Sequence, residues 1–164
     1  QTAVRAYDGR LPHTLLLDQV KQHLNLSDMN DIMHRIYSEG LSRTEIAALS
    51  PLAIAAAQAG DHTACMLLQH GASLLADCVL AVANKLGFAN GPSELALVGG
   101  MFKAGAVFER PFQEAVIAQL PHCRLIPAEL PPVLGAAVLA LQSGGITINP
   151  TISQQLHQAA EQIA

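Results

Sequence analysis

Apolar residues recur at helical spacing along most of the chain, and this pattern predicts a protein built mainly from α-helices. The longest predicted helix runs from His62 to Leu86, with Asp61 as its N-cap and Gly87 as its stop. Its apolar residues form one wide face and its polar residues lie opposite. The apolar face comprises Leu67, Gly71, Leu74, Leu75, Cys78, Val79, Val82 and Leu86, and the polar face comprises His70, Ser73, Asp77 and Asn84.

Capping signals predict several shorter helices before this long one. Thr14 stands where an N-cap would, ahead of apolar residues at helical spacing, and Ser27–Asp28 opens the next helix. Ser42 and Glu45 have the spacing of a capping box, in which each side chain satisfies a free backbone donor of the other residue. Ser50–Pro51 begins a further helix with proline at its first position.

A strand–helix–strand unit follows the long helix. The short apolar run Ser93–Val98 predicts a buried strand that the chain enters through an Asn90–Gly91–Pro92 turn. A second short strand is predicted at Cys123–Ile126. The segment between them, from about residue 104 to 120, has helical spacing, and Pro111 marks a kink or a restart within it. Such a crossover should be right-handed, with its two strands parallel.

The predicted elements form an α/β unit with few strands. A small-residue helix from Pro132 to Gln142 follows the second strand, Gly144–Gly145 closes it, and residues 144–164 form a helical tail that restarts at Thr151. Two short strands cannot cover the apolar faces of so many helices, so we expect the remaining strands to come from elsewhere. Because Gln1 stands in place of an initiator methionine, we expect the chain to be the later part of a longer protein.

Composition narrows the classes of partner. Of the 164 residues 51% are hydrophobic and only 4% aromatic, which favours packed helices. The net charge of -4 and nine scattered basic residues argue against nucleic acid or an anionic membrane as a partner. The longest apolar run, Val133–Leu141, is far shorter than a membrane span requires. Three irregularly spaced cysteines are typical of a reducing cytoplasm and predict no disulfide framework.

Candidate chemistry lies where the first strand ends. Gly99–Gly100 follows Ser93–Val98 directly, so bare backbone would lie at the carboxyl edge of the sheet. Open α/β folds bind nucleotides at this edge. The helix that begins at Pro131–Pro132 has small residues in its first turns, which lets a ligand or another part of the protein approach closely. The two features, in this order, predict a nucleotide site; an ordinary strand-to-helix turn is the competing interpretation of the double glycine.

The chain resembles the C-terminal half of the BadF/BadG/BcrA/BcrD ATPase family, within the actin and hexokinase superfold, and is most similar there to bacterial N-acetylglucosamine and glucosamine kinases. The resemblance spans Arg5 to about Leu141, and the tail after Gly144 has no counterpart. Five short stretches occur in the family's order, namely Arg5–Thr14, Ile46–Pro51, Ala56–Asp61, Leu97–Phe102 and Pro131–Ala137.

The resemblance implies a fold and a site. Residues 1–143 would be the helix-rich C-terminal lobe of an actin-like ATPase (ribonuclease H-like) fold, with 13–60 a helical segment and 93–143 on the nucleotide side. In this family the double glycine forms part of the adenosine pocket. The resemblance therefore assigns cofactor binding to Gly99, Gly100, Met101, Thr14 and Gly135, with Met101 bordering the base. For Thr14 a helix cap alone is the competing interpretation.

The resemblance also implies the activity. The whole protein would be an ATP-dependent kinase acting on a small amino sugar, and we expect it to be cytoplasmic and to form a homodimer. The family's phosphate-binding Asp-Gly-Gly-Gly-Thr motif, catalytic aspartate and sugar contacts belong to its N-terminal half, which would be this chain's missing partner lobe. We therefore expect Mg²⁺ to be held mainly by that lobe, and we expect no catalytic residue in this chain.

Two other functions remain open at this point. The family also contains ATPase activators of acyl-CoA dehydratases and reductases, in which cysteines of two subunits hold an iron–sulfur cluster. A non-catalytic helical interaction module is the other alternative, since the amphipathic tail from Thr151 suits docking on a second chain. We interpret Cys65, Cys78 and Cys123 as small core residues and expect no metal site, because no His or Cys pair has ligand spacing.

Overall fold

The computed structural model describes residues 1–38, 40–88 and 91–163, apart from the side chains of Met33, Tyr37 and Ile163. The predicted turn residue Asn90 lies outside this described part. The helices are α1 (Thr2–Tyr7), α2 (Leu15–His23), α3 (Asp31–Tyr37), α4 (Arg43–Ala47), α5 (Ser50–Gln58), α6 (His62–Leu86), α7 (Ala106–Gln119), α8 (Pro132–Ser143) and α9 (Pro150–Ile163). The strands are β1 (Ser93–Leu97) and β2 (Cys123–Pro127), and a 3₁₀ helix spans Gly100–Ala104.

The helix starts follow the capping signals, with one exception. The Ser42 hydroxyl accepts from the Glu45 N–H at 3.2 Å and the Glu45 carboxylate accepts from the Ser42 N–H at 2.9 Å, which confirms the capping box. The predicted start at Ser27–Asp28 is wrong, because α3 begins at Asp31. The Asp31 carboxylate accepts from the Ser27 hydroxyl and the Asp28 N–H, so the preceding residues form a turn around it.

The core centres on α6, which packs mainly against α7 and α5. The predicted bounds and caps of α6 are confirmed: Asp61 caps its start, and Gly87 ends it with a φ of 78°. Its buried stripe is built largely from alanine, with Ala64 and Ala72 0% exposed. Alanine lets neighbouring helices approach closely without side-chain entropy cost. The stripe comprises Ala64, Leu68, Ala72, Ala76, Leu80 and Ala83.

The larger apolar residues of α6 mostly point away from this core, contrary to the burial that an apolar face implies. Leu74 is 53% exposed, Val82 57% and Leu86 60%. By length and apolar content alone α6 would also suffice to cross a membrane, although we expected no run in the chain to do so. Since its alanine stripe packs against α5 and α7, we interpret α6 as the core helix of this domain.

The predicted strand–helix–strand unit is confirmed, but the predicted burial of its first strand is wrong, because the residues of β1 alternate between half-buried and exposed. β1 and β2 pair in parallel, with a register that runs from Ser93 opposite Cys123 to Leu97 opposite Pro127. The connecting helix α7 continues through Pro111 and buries Phe108, Phe112 and Val116. Pro111 therefore causes no restart. The unit brings the carboxyl ends of both strands to the same edge, where β1 leads into Gly99.

Much apolar surface around this two-stranded sheet is uncovered in the described part of the chain. β1 pairs only with β2 there, so its other edge has no neighbour. α8 has no buried residue, and Val133 and Leu139 on it are 59% and 65% exposed. A separate small cluster joins α1, α2 and α3 through Ala3, Val20, Met29 and Ile32. The chain is thus a helix-rich α/β unit whose sheet is small for its helices.

Candidate functional site

The turn after β1 requires glycine at one position. Gly99 has a φ of 118° and a ψ of 163°, a conformation that side chains rarely adopt. Its carbonyl accepts a hydrogen bond from the Phe102 N–H at 3.3 Å, which starts the 3₁₀ helix. Gly100 has no such positive φ. Backbone geometry therefore explains the glycine at position 99 but not the one at position 100.

Both glycines lie on the surface. They are exposed, and a Cβ added at either one would meet no atom of the described residues within 4 Å. Packing among these residues therefore does not explain the missing side chain at Gly100. The backbone at these two positions is consequently open to the approach of a flat or charged group from solvent.

A cleft of about 680 Å³ opens beside this turn, at the carboxyl ends of both strands. Gly99 forms one part of its wall, and Pro131 and Pro132 at the start of α8 form another. The structure therefore brings together the two features from which the sequence predicts a nucleotide site. Apolar residues of the strand ends and of the following loop complete the wall, namely Leu97, Val98, Phe102, Leu125, Ile126, Pro127, Ala128 and Leu130.

Three polar side chains of this cleft were not predicted. Lys103 comes from the 3₁₀ helix, and Glu109 and Gln113 come from successive turns of α7. The i, i+4 spacing of Glu109 and Gln113 is visible in the sequence and places them on one face. Only the packing of Phe108, Phe112 and Val116 shows that this face borders the cleft.

The 3₁₀ helix is anchored to α7 by aromatic contacts. The ring of Phe102 meets those of Phe108 and Phe112 edge to face, with centroid distances of 5.8 Å and 5.4 Å. Such pairs stabilise packing beyond their buried area. The residues that follow Gly99–Gly100 are thereby held in one position over α7.

Met101 lies in a second depression on the helical side of the turn. It is half-buried and lines an apolar cavity of about 320 Å³ together with residues of α4, α5, α6 and α7. Met101 therefore does not share the cleft of Gly99, Lys103 and Pro131. Its role beside a base stays a prediction.

Thr14 lies elsewhere and has a structural role. It is 1% exposed and its hydroxyl accepts from the Leu16 N–H, which confirms it as the N-cap of α2. The same hydroxyl donates to both carboxylate oxygens of Asp61 at 2.9 Å. Asp61 also accepts from the Leu15 N–H at 2.6 Å and the Ala64 N–H at 2.8 Å. This one carboxylate therefore joins the starts of α2 and α6.

The hydrogen bonds around Asp61 change its acidity. Burial acts to raise the pKa of Asp61, but donors from the Ala64, Leu15 and Thr63 backbones and from the Thr14 hydroxyl outweigh burial and lower it. Any contact between Thr14 and a nucleotide stays a prediction, since the Gly99 cleft is not lined by Thr14.

Gly135 lies in the first turns of α8 and is half-buried. Its N–H donates to the Pro131 carbonyl at 3.1 Å, and a Cβ there would meet no atom within 4 Å. The position is thus open, although Gly135 is not among the residues that line the cleft. Its assignment to the nucleotide side stays a prediction.

The described residues contain no group of three or more His, Cys, Asp or Glu side chains that could hold a metal ion. The cleft offers a single carboxylate, that of Glu109, so these residues do not by themselves make a Mg²⁺ site. Cys65 and Cys123 are half-buried, as expected of core residues, whereas the prediction for Cys78 is wrong because it is exposed. Its position on the outward face of α6 explains the difference.

The sequence of the chain is similar to those of known proteins. The family model of the BadF/BadG/BcrA/BcrD ATPase family matches residues 1–140. The chain is 28% identical over 142 residues to an N-acetyl-D-glucosamine kinase of Dictyostelium discoideum, a match that covers 85% of the chain and 44% of the relative. It is 25% identical over 140 residues to an N-acetylmuramic acid/N-acetylglucosamine kinase of Clostridium acetobutylicum, with 85% and 46% covered. The chain therefore spans less than half the length of these curated relatives.

Proposed function

Because the chain belongs to the BadF/BadG/BcrA/BcrD ATPase family, we propose that it supplies the adenosine-binding half of an ATP-dependent amino-sugar kinase. The substrate that we propose is N-acetylglucosamine or glucosamine. The two curated relatives are sugar kinases by name, which supports this class of reaction. The actin-like fold of the family supports a nucleotide held between two lobes.

One observation carries the proposal. Gly99, the first residue of the double-glycine turn, and the Pro131–Pro132 start of α8 border the same cleft at the carboxyl ends of the parallel strands. In open α/β sheets this is the edge at which ligands bind. The φ of Gly99 requires a glycine, and its backbone is open. A nucleotide can therefore approach the turn without displacing packed side chains.

The chemistry of such a kinase is mainly positional. ATP supplies the phosphoryl group, and the enzyme aligns it with a sugar hydroxyl and stabilises the charge of the transition state. In our proposal this chain binds and orients the adenosine part. The carboxylate that accepts the sugar proton, the phosphate-binding motif and the main Mg²⁺ ligands belong to the other lobe.

We also propose that the rest of the polypeptide extends the sheet at the free edge of β1. Three surfaces support this arrangement: the unpaired β1 edge, the exposed leucine and valine face of α6 and the uncovered helix α8. Added strands would cover all three at once. The protein would be cytoplasmic, and the amphipathic helix α9 is the surface that we propose for a homodimer.

A coupled ADP-release assay on the intact protein tests the function. We expect ADP release with ATP to rise well above its sugar-free rate when N-acetylglucosamine or glucosamine is added. Two further sugars define the selectivity. Glucose lacks the amino group, and N-acetylmuramic acid carries an additional lactyl ether. If none of the four sugars stimulates ADP release, the kinase proposal is wrong.

A further inference from the structure

We propose that the cleft beside Gly99 is polarised, with Lys103 binding a phosphate of the nucleotide while Glu109 and Gln113 bind its uncharged hydroxyl or amino groups. This inference rests on the proposed function and adds to it the direction in which the nucleotide lies. The inference starts from three polar side chains that line one cleft, a cation from the 3₁₀ helix and a carboxylate and an amide from α7.

Lys103 is the only cation among the described residues that line this cleft. It is exposed and takes part in no ion pair and no side-chain hydrogen bond within the described chain. The nearby cations behave differently, since Arg110 pairs with Glu114 at 3.0 Å and Arg124 pairs with Glu94. Lys103 therefore has all three of its ammonium donors available for an anion.

The position of Lys103 favours a ligand at the turn. It lies three residues after Gly100, at the end of a 3₁₀ helix that the Phe102 ring anchors on α7. The anchored 3₁₀ helix fixes the Lys103 backbone beside the exposed turn, so that its ammonium group can form a charge-assisted hydrogen bond to a phosphate oxygen bound there.

Helix α7 contributes a carboxylate and an amide to the cleft, in contrast to the positive charge of Lys103. Glu109 and Gln113 are half-buried and make no side-chain hydrogen bond in the described chain. A carboxylate repels phosphate and accepts from hydroxyl or amino donors, and the adjacent amide can accept and donate. This wall therefore fits the ribose hydroxyls or the amino group of adenine and disfavours the phosphates. The phosphates would therefore bind beside Lys103.

The decisive comparison is between ADP and adenosine, measured by calorimetry on the intact protein. Lys103→Met keeps the length of the stem and removes the charge, so ADP affinity should fall about tenfold while adenosine affinity changes less than about twofold. Lys103→Arg should restore ADP affinity to within about threefold of the wild type, because it keeps the charge. Lys85→Met, at the exposed end of α6, is the matched control and should leave both affinities unchanged.

A second variant tests the role of Glu109. Glu109→Gln removes the negative charge and should weaken adenosine and ADP by a similar factor of about three to ten. Equal loss of both ligands in Lys103→Met, or no loss of ADP, would overturn the inference even when the wild type binds both. A wild type that binds neither ligand would instead refute the proposed function and the inference together.

Discussion

Replacing Gly100 by alanine is expected to weaken ATP binding to the intact protein by about tenfold or more, corresponding to about 1.4 kcal/mol. The added methyl group would occupy the space through which the nucleotide approaches the backbone. The fold should be unaffected, because a Cβ at Gly100 meets no atom within 4 Å and its φ is not positive. A glycine-to-alanine change at such a position even stabilises a protein by about 0.4–1 kcal/mol. Calorimetry with ATP, together with a melting curve, measures both effects.

Two other glycines are the controls for this prediction. Gly91→Ala changes an open position before the start of β1, at the opposite end of the strand from Gly99–Gly100, and it should leave ATP affinity unchanged. Gly99→Ala forces a side chain into a φ of 118° and should cost about 1–3 kcal/mol of stability in addition to any loss of binding. If Gly100→Ala binds ATP as tightly as the wild type, the nucleotide does not approach the backbone at Gly100.

Replacing Asp61 by alanine should have the largest effect on stability. It removes the cap of α6 and the acceptor for Leu15 N–H, and it leaves the buried Thr14 hydroxyl without its partner. The combined cost should be about 2 kcal/mol or more. For a chain of this size the melting temperature should fall by about 4–8 °C. Thermal unfolding monitored by circular dichroism provides the measurement.

The contribution of Asp61 should depend on pH in a defined direction. The pKa of Asp61 is lowered in the folded state from its ordinary value of 3.8. The stabilisation is therefore fully present above that value and is lost as the pH falls below it, toward the folded-state pKa. Asp61→Asn should reduce the acid sensitivity of unfolding relative to the wild type. An unchanged difference in stability between the two proteins from neutral pH to pH 3 would contradict this role.

The helix α6 shows where hydrophobic periodicity succeeds and where it fails. Its bounds follow from the Asp61 cap and the Gly87 stop, both local signals that the structure confirms. Its buried face does not follow, because the apolar pattern is dominated by large side chains such as Leu74 and Val82. The core instead uses alanine, for which close approach of α5 and α7 decides burial. That approach is a property of the tertiary packing.

The candidate site divides in a similar way. The double glycine and the Pro131–Pro132 helix start are recognisable in the sequence because a strand end and a helix start meet at one sheet edge. Lys103 and Glu109 could not be assigned to the cleft in advance, since their direction depends on how the Phe102 ring seats the 3₁₀ helix on α7. Two predicted site residues lie outside the cleft. Met101 lines the apolar cavity, and the Thr14 hydroxyl donates to Asp61.

The account depends most on an adenosine nucleotide binding at the Gly99–Gly100 turn. The direct measurement is a titration of the isotopically labelled intact protein with ADP, followed by the backbone amide signals in nuclear magnetic resonance spectra. The account predicts saturable shifts of the Gly99, Gly100 and Lys103 amides, while the Gly60 amide between α5 and α6 stays in place. Saturable binding that shifts other amides and leaves Gly99 and Gly100 unmoved would contradict it.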